Sequence, residues 1–268
     1  MLILIRGAGD IASGIALRLH HAGFDIVMTD LPIPTAVRRT VAFSEAIRLG
    51  EYQVEDVRGL RADTIEQVKE ILSRGDIAVM ADPLIDKARL LKPRVIVDAI
   101  LAKKNLGTKM EDAEIVIGVG PGFYAGKDCH AVIETKRGHT LGRVILEGEP
   151  IANTGIPGNI EGYTKERVLR SSSPGIFTSN HEIGDLVGKG DTVAIVTDLE
   201  GQTHPILAEI PGMIRGLLQD DIQVKAGMKC GDIDPRGAKA HYDMVSDKAL
   251  AIGGGVLEAI LRLTKPDL

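Results

Sequence analysis

The sequence predicts an α/β fold: a Rossmann-like parallel-sheet domain, a small all-β barrel-sandwich (lipoyl/biotinyl-like) module and a C-terminal helix. Three observations predict it. A strand, glycine turn, helix, strand and acid open the chain. Aliphatic strand-like runs then alternate with polar loops to about residue 150. A repeat with a 37-residue offset follows.

Taken in order, Leu2 to Ile5 is a short apolar run bounded by glycine, as in a buried parallel strand. Ile11, Ile15, Leu19 and Ala22 then recur at helical spacing, and Gly23 stops that helix. Phe24 to Met28 is a second strand running into Asp30. A helix is expected over 64–74, capped by Thr64 or Asp63. Strands are expected over 77–81, 95–99 and 115–120, with a short helix over 87–91 that Pro93 ends.

The first turn carries a dinucleotide-type fingerprint. Gly7 permits a tight turn, Gly9 leaves room for a pyrophosphate, and Ala12 allows close helix–strand packing. The helix amino end, with Asp10, offers N–H donors and a positive dipole to an anion. Asp30, about 20 residues on, would accept from a ribose hydroxyl. Arg38 and Arg39 would instead favour a 2′-phosphate. Asp98, Lys103 and Asn105 follow a buried-strand pattern and could hold a polar ligand. Gly120 and Gly122 lie in a second glycine loop, 118–126, able to form an anion nest. If 128–136 is a strand, Asp128, His130 and Glu134 share a face and Cys129 points away, against a Cys–His dyad. No residue is assigned as catalytic, and no spacing supports a metal site.

The repeat pairs Pro174-Gly175 with Pro211-Gly212, Val187 with Val224 and Gly190 with Gly227. It predicts a barrel-sandwich-hybrid module at 171–234. The segment joining its halves, 197–204, contains no Lys, which argues against covalent biotin or lipoate. Breaker clusters at 153–158 and 171–174 suggest a linker over 151–170, after a nucleotide-binding domain at 1–150. Residues 235–268 form a C-terminal helical segment, with a helix over 243–264 that packs back on the first domain.

Composition narrows the partners. Aromatics are 3%, Trp is absent, net charge is −5 and no basic run occurs, so nucleic acid is not expected. No apolar run approaches the ~20 residues of a membrane span. Met1 leads directly into a strand pattern with no signal-peptide character. Two Cys build no disulfide framework. The expectation is a cytoplasmic protein without membrane contact. The apolar C-terminal helix would suit a homo-oligomer or intramolecular packing.

The run Leu-Ile-Arg-Gly-Ala-Gly-Asp-Ile-Ala-Ser-Gly at 4–14 resembles the YqeB family, accessory proteins of selenium-dependent molybdenum hydroxylases. So do 38–43, 98–105, 118–126, 132–139 and 231–237. The resemblance implies a role in maturing the molybdenum centre, with the hydroxylase apoprotein as partner. It also implies a molybdopterin dinucleotide in the glycine cleft. The fingerprint equally admits NAD(P), and so an NAD(P)-dependent oxidoreductase using His130, Lys103 or Tyr124 as proton donor. A non-catalytic protein-binding scaffold with an empty cleft is the third reading.

Overall fold

Aliphatic strands and glycine turns build a chain of two units in the computed structural model, which describes residues 1–153, 155 and 157–264. Thr154 and Ile156 of the first breaker cluster lie outside the described residues, as do 265–268. The first unit comprises residues 1–34, 42–154 and 245–268; the second comprises 35–41 and 155–244.

The first unit holds a nine-stranded sheet. Its elements are β1 (Leu2–Arg6), α1 (Asp10–His21), β2 (Asp25–Asp30), α2 (Glu45–Leu49), β3 (Glu51–Val54) and β4 (Val57–Arg61). There follow α3 (Ile65–Ser73), β5 (Ile77–Ala81), β6 (Val95–Asp98), β7 (Ile115–Val119), β8 (Ala131–Ile133) and β9 (Val144–Ile145). The order is β3-β4-β5-β2-β1-β6-β7-β8-β9. Strands β4 to β8 are parallel neighbours, whereas β3 and β9 pair antiparallel at the two edges.

Alternation along β1 sends Leu4 into one apolar layer with Val68 and Ile71 of α3, Ala78 and Met80 of β5, and Phe123. Thr64 caps α3 through a reciprocal box with Gln67, as its position predicts. The chain returns after the second unit as α4 (Asp247–Thr264), later in its start than the expected 243. Helices α1 and α4 run side by side in the same direction. Gly14 faces Ala249, and Gly253 faces Arg18 and the Gly14 carbonyl. Two small-residue surfaces let these backbones approach closely.

The expected Rossmann-like domain is corrected here. The sheet is mixed, and the connections β5–β6, β6–β7 and β7–β8 contain no α-helix. Pro83, Pro93, Gly107, Pro121, Gly122 and Gly126 interrupt those stretches, so the helices of a second mononucleotide-binding half cannot form.

The second unit is all-β. Its strands are β10 (Val168–Arg170), β11 (Gly175–Thr178), β12 (Leu186–Val187), β13 (Thr192–Thr197), β14 (Thr203–Leu207), β15 (Gly212–Leu217), β16 (Ile222–Val224) and β17 (Lys229–Asp234). The 37-residue offset relates β11 to β15, β12 to β16 and β13 to β17. Pairing exchanges between the halves: β11 pairs with β13 and β16, and β15 with β17 and β12. The expected lipoyl/biotinyl-like barrel-sandwich is nevertheless corrected. The strands form two separate four-stranded antiparallel sheets, β10-β17-β15-β12 and β14-β13-β11-β16. The same offset relates β10 to β14, which extend one edge of each sheet. Phe177, Val196, Ile214 and Ile233 fill the core between repeat halves.

Candidate functional site

The carboxyl ends of the parallel strands converge on one edge of the first unit, and the chain order reverses between β1 and β6. Loops on either side of such a switch point leave a crevice. Strands β2, β5, β6 and β8 each end in or beside a carboxylate that accepts backbone N–H groups.

Asp30 accepts from the Leu31 N–H and from the Ala8 N–H, both at 2.7 Å. It therefore clamps the first glycine turn. Burial pushes its carboxyl above the usual aspartate range against those two hydrogen bonds. Asp82 accepts from the N–H groups of Asp86, Lys87 and Ala88. Asp98 accepts from Arg6 Nη1 at 3.1 Å, Thr108 Oγ1 at 2.5 Å and the Ile100 N–H at 3.2 Å. Glu134, almost fully buried, accepts from the N–H groups of Thr135, Lys136 and Ile151.

The structure uses several expected ligand contacts internally. Gly7 has φ +99°, and a side chain there would strike the Ala99 carbonyl. Ala12 is buried against the sheet as expected for close packing. Asn105 builds its own turn by accepting from the Gly107 and Thr108 N–H groups, while Lys103 projects into solvent. A side chain at Gly120 would meet Thr135, and one at Gly122 the Lys104 backbone. These glycines dock one loop onto another.

Two candidates lie elsewhere. Strand β8 spans only three residues, and His130 precedes it at the amino edge, where Nδ1 accepts from the Val116 N–H at 3.0 Å. It does not face the glycine turns. Arg38 belongs to the second unit, donating to the Met244 carbonyl at 3.1 Å. Cys129 is buried and its thiol is pushed up to about 11 by burial, so it holds no thiolate at neutral pH.

What stays open is the paired amino end of α1 and α4. Gly9 is the N-cap of α1, with φ −72° and ψ −174°, and offers no side chain to accept from the first N–H groups. A side chain added at Gly9 would meet nothing within 4 Å. Asp10 follows in the first turn. Lys248, in the first turn of α4, interacts with Asp10 and Glu134 through space, yet its Nζ makes no hydrogen bond or ion pair among the described residues. Burial pulls this ammonium below the usual lysine range, and Arg137 adds to that. Asp10, Glu134 and Asp247 oppose it. Arg137 itself is held by both carboxylate oxygens of Asp247. Sequence reasoning missed Lys248. Its signal was a cation in the first turn of a helix, where the macrodipole disfavours positive charge.

No family model matches the chain. Over 262 residues it is 53% identical to the uncharacterized protein YqeB of Escherichia coli (strain K12). The chain is similar to YqeB. This supports the resemblance to the YqeB family read from the sequence. The match covers 98% of the chain and 48% of YqeB, so the chain spans about half the length of that curated relative.

Solved structures that it matches include the ectoine utilization protein EutE (DoeB) of Ruegeria pomeroyi, at 14% identity over 87% of this chain and 85% of that one, with a TM-score of 0.29. A succinylglutamate desuccinylase from Silicibacter covers 87% and 84% at 13% identity and a TM-score of 0.28. An aspartoacylase family protein of Mesorhizobium loti covers 81% and 58% at 14% identity and a TM-score of 0.28. Scores of this size carry no activity to the YqeB-like chain. These matches are nevertheless named as acylase, desuccinylase and ectoine proteins, not as molybdenum hydroxylase accessory or NAD-binding proteins. The comparisons lend the expected accessory role and the NAD(P)-dependent alternative no support. Among the described residues, no group of three or more His, Cys, Asp or Glu could hold a metal ion. No helix among them is long and apolar enough to cross a membrane.

Proposed function

We propose that the first unit binds a small anionic metabolite, through a carboxylate or phosphate group, at the paired amino ends of α1 and α4. The observation that carries this reading is Lys248. A half-buried ammonium without a direct partner is costly unless an anion completes it. Uncapped N–H groups beside the open Gly9 supply neutral donors in the same place. Asp30, Asp98 and Glu134 hold the surrounding loops rigid, so the site is shaped before a ligand arrives.

Gly9→Asp separates binding from folding. An Asp at this N-cap can accept from the α1 N–H groups, and the backbone there is already extended. The variant is expected to keep its stability or gain a few tenths of a kcal/mol, on the order of an N-cap exchange. It should lose the first-unit site for inorganic phosphate and malonate, because its own carboxylate occupies the donors. Calorimetric titration checks this; unchanged affinity for both probes in a folded Gly9→Asp protein removes the proposal.

Lys248→Met gives a second expectation with a definite sign. A lysine whose folded pKa lies below its ordinary 10.5 weakens the fold most when it is charged, at pH below the folded value. That loss disappears as pH rises towards 10.5. The Met variant should therefore be more stable than the parent at neutral pH, with the difference closing on the alkaline side. Equal urea midpoints for the two proteins at pH 7 would contradict it.

A further inference from the structure

We infer that the second unit contains a separate site for a phosphate-class oxyanion, built from buried arginines around Asp232 and Asp234. The arrangement begins on β17. Alternation sends Ile233 to the core and places Asp232 and Asp234, two residues apart, together on the other face. The pairing of β15 with β17 shifts between Ile214 and Gly216, which makes Arg215 the extra residue of a bulge. That bulge aims Arg215 at Asp234. Gly216 carries no side chain where one would strike Asp232 Oδ1. Arg167, just before β10, reaches Asp232. Arg38 arrives from the 35–41 segment, which is pinned here by Arg39 donating to the Leu217 carbonyl at 2.8 Å and by the Leu217 N–H donating to Val37 at 2.7 Å.

The cations outnumber the acids among these groups. Arg38, Arg167, Arg215, Arg236 and Lys229 surround two carboxylates. Arg236 takes Asp234 in a bidentate pair at 2.9 and 2.7 Å. Asp232 is shared by Arg167 and Lys229 through long contacts, 3.8 Å and 3.5 Å. Arg215 stands 3.9 Å from Asp234. The Nε atoms of Arg167 and Arg215 and the Oδ1 of Asp232 are buried and have no hydrogen-bond partner, while Arg167 donates through Nη1 to the Gly158 carbonyl at 3.2 Å. Arg167 is 6% exposed.

A guanidinium cannot discharge itself by losing a proton, so buried donors of this kind call for an acceptor. Planar forks set close together match the several oxygens of a phosphate or sulfate better than one carboxylate. Burial works to raise the Asp232 carboxyl, but Lys229, Arg215, Arg38 and Arg167 together hold it below the usual carboxylate range. The cations around Asp232 therefore favour a negative charge at this position, in a chain whose net charge is −5. Arg236 and Lys229, each partly exposed, form the rim by which an anion would enter.

The test titrates the full chain with inorganic phosphate and with phenyl phosphate in the Gly9→Asp background, which closes the first-unit site. That variant should still bind one equivalent. Adding Arg215→Gln should weaken phosphate by about tenfold, the worth of a charged hydrogen-bond set. Equal affinity for the two probes means a terminal phosphoryl group suffices; preference for phosphate means a free anion. If Arg215→Gln does not fold, Lys229→Gln on the rim decides, with an expected loss of about threefold. No binding by the Gly9→Asp protein, or unchanged affinity in the folded second-unit variants, overturns the inference. A parent chain whose phosphate binding Gly9→Asp leaves untouched would instead count against the first-unit reading alone.

Discussion

Truncation of Asp98 to alanine is expected to cost about 3–5 kcal/mol, the range for breaking a buried ion pair by removing one partner. Asp98 is 2% exposed and sits at the end of β6, beside the switch point of the sheet. It accepts from Arg6, Thr108 and the Ile100 N–H at once. Arg6 already has one buried nitrogen, Nε, without a partner. Losing Asp98 would leave its charge buried and uncompensated, and would release the 99–108 loop from β6. Asp98→Asn keeps two acceptor directions and should lose less. Urea denaturation of both variants measures this. A loss below about 1 kcal/mol for the alanine variant would mean that the triad is solvated in solution.

The second large effect is expected at Gly255. A Cβ built there overlaps the carbonyl oxygen of Gly142 and lies 3.0 Å from Ile133. The first obstacle is backbone and cannot rotate away. Gly255→Ala must therefore move α4 off the sheet, at a cost of about 3 kcal/mol or more, the upper range of overpacking. Its neighbour supplies the control. A Cβ at Gly254 meets nothing within 4 Å, so Gly254→Ala should stabilise the helix by about 0.5–1 kcal/mol from propensity alone. Opposite signs in thermal melts at adjacent positions are the expected result. Two similar shifts would show that α4 does not seat as described.

Much of the local structure was legible because its causes are local. Apolar runs marked β1, β2, β5, β6 and β7 within a residue or two of their ends. Thr64 marked the start of α3. The 37-residue repeat survived as related strands because each half needs the same turns and the same core positions. The wider architecture was less legible. A strand–glycine–helix–strand opening is common to many α/β sheets. It could not show that the later crossovers lack helices, or that antiparallel strands close both edges.

The candidate site shows the same division. That an acid ends β2 was readable, and so was the glycine turn before α1. Composition and spacing did not reveal that Asp30 holds the Ala8 N–H, because that contact joins the ends of two different strands. His130 was grouped with Glu134 by assuming one long strand, whereas β8 is three residues long and the two lie towards opposite edges. Lys248 follows the first turn by more than two hundred residues and meets Asp10 only because α1 and α4 lie parallel. Arg38 and Asp232 are nearly two hundred residues apart in the chain, and only the passage of the 35–41 segment into the second unit brings them together. The sequence by itself determined β1, β2, β5, β6 and β7, the α3 cap, the repeat and the aliphatic core, since these follow from neighbouring residues and short periodicities. The tertiary structure alone decided which charges meet, because burial and Coulomb interaction act across space between segments that carry no local signal of one another.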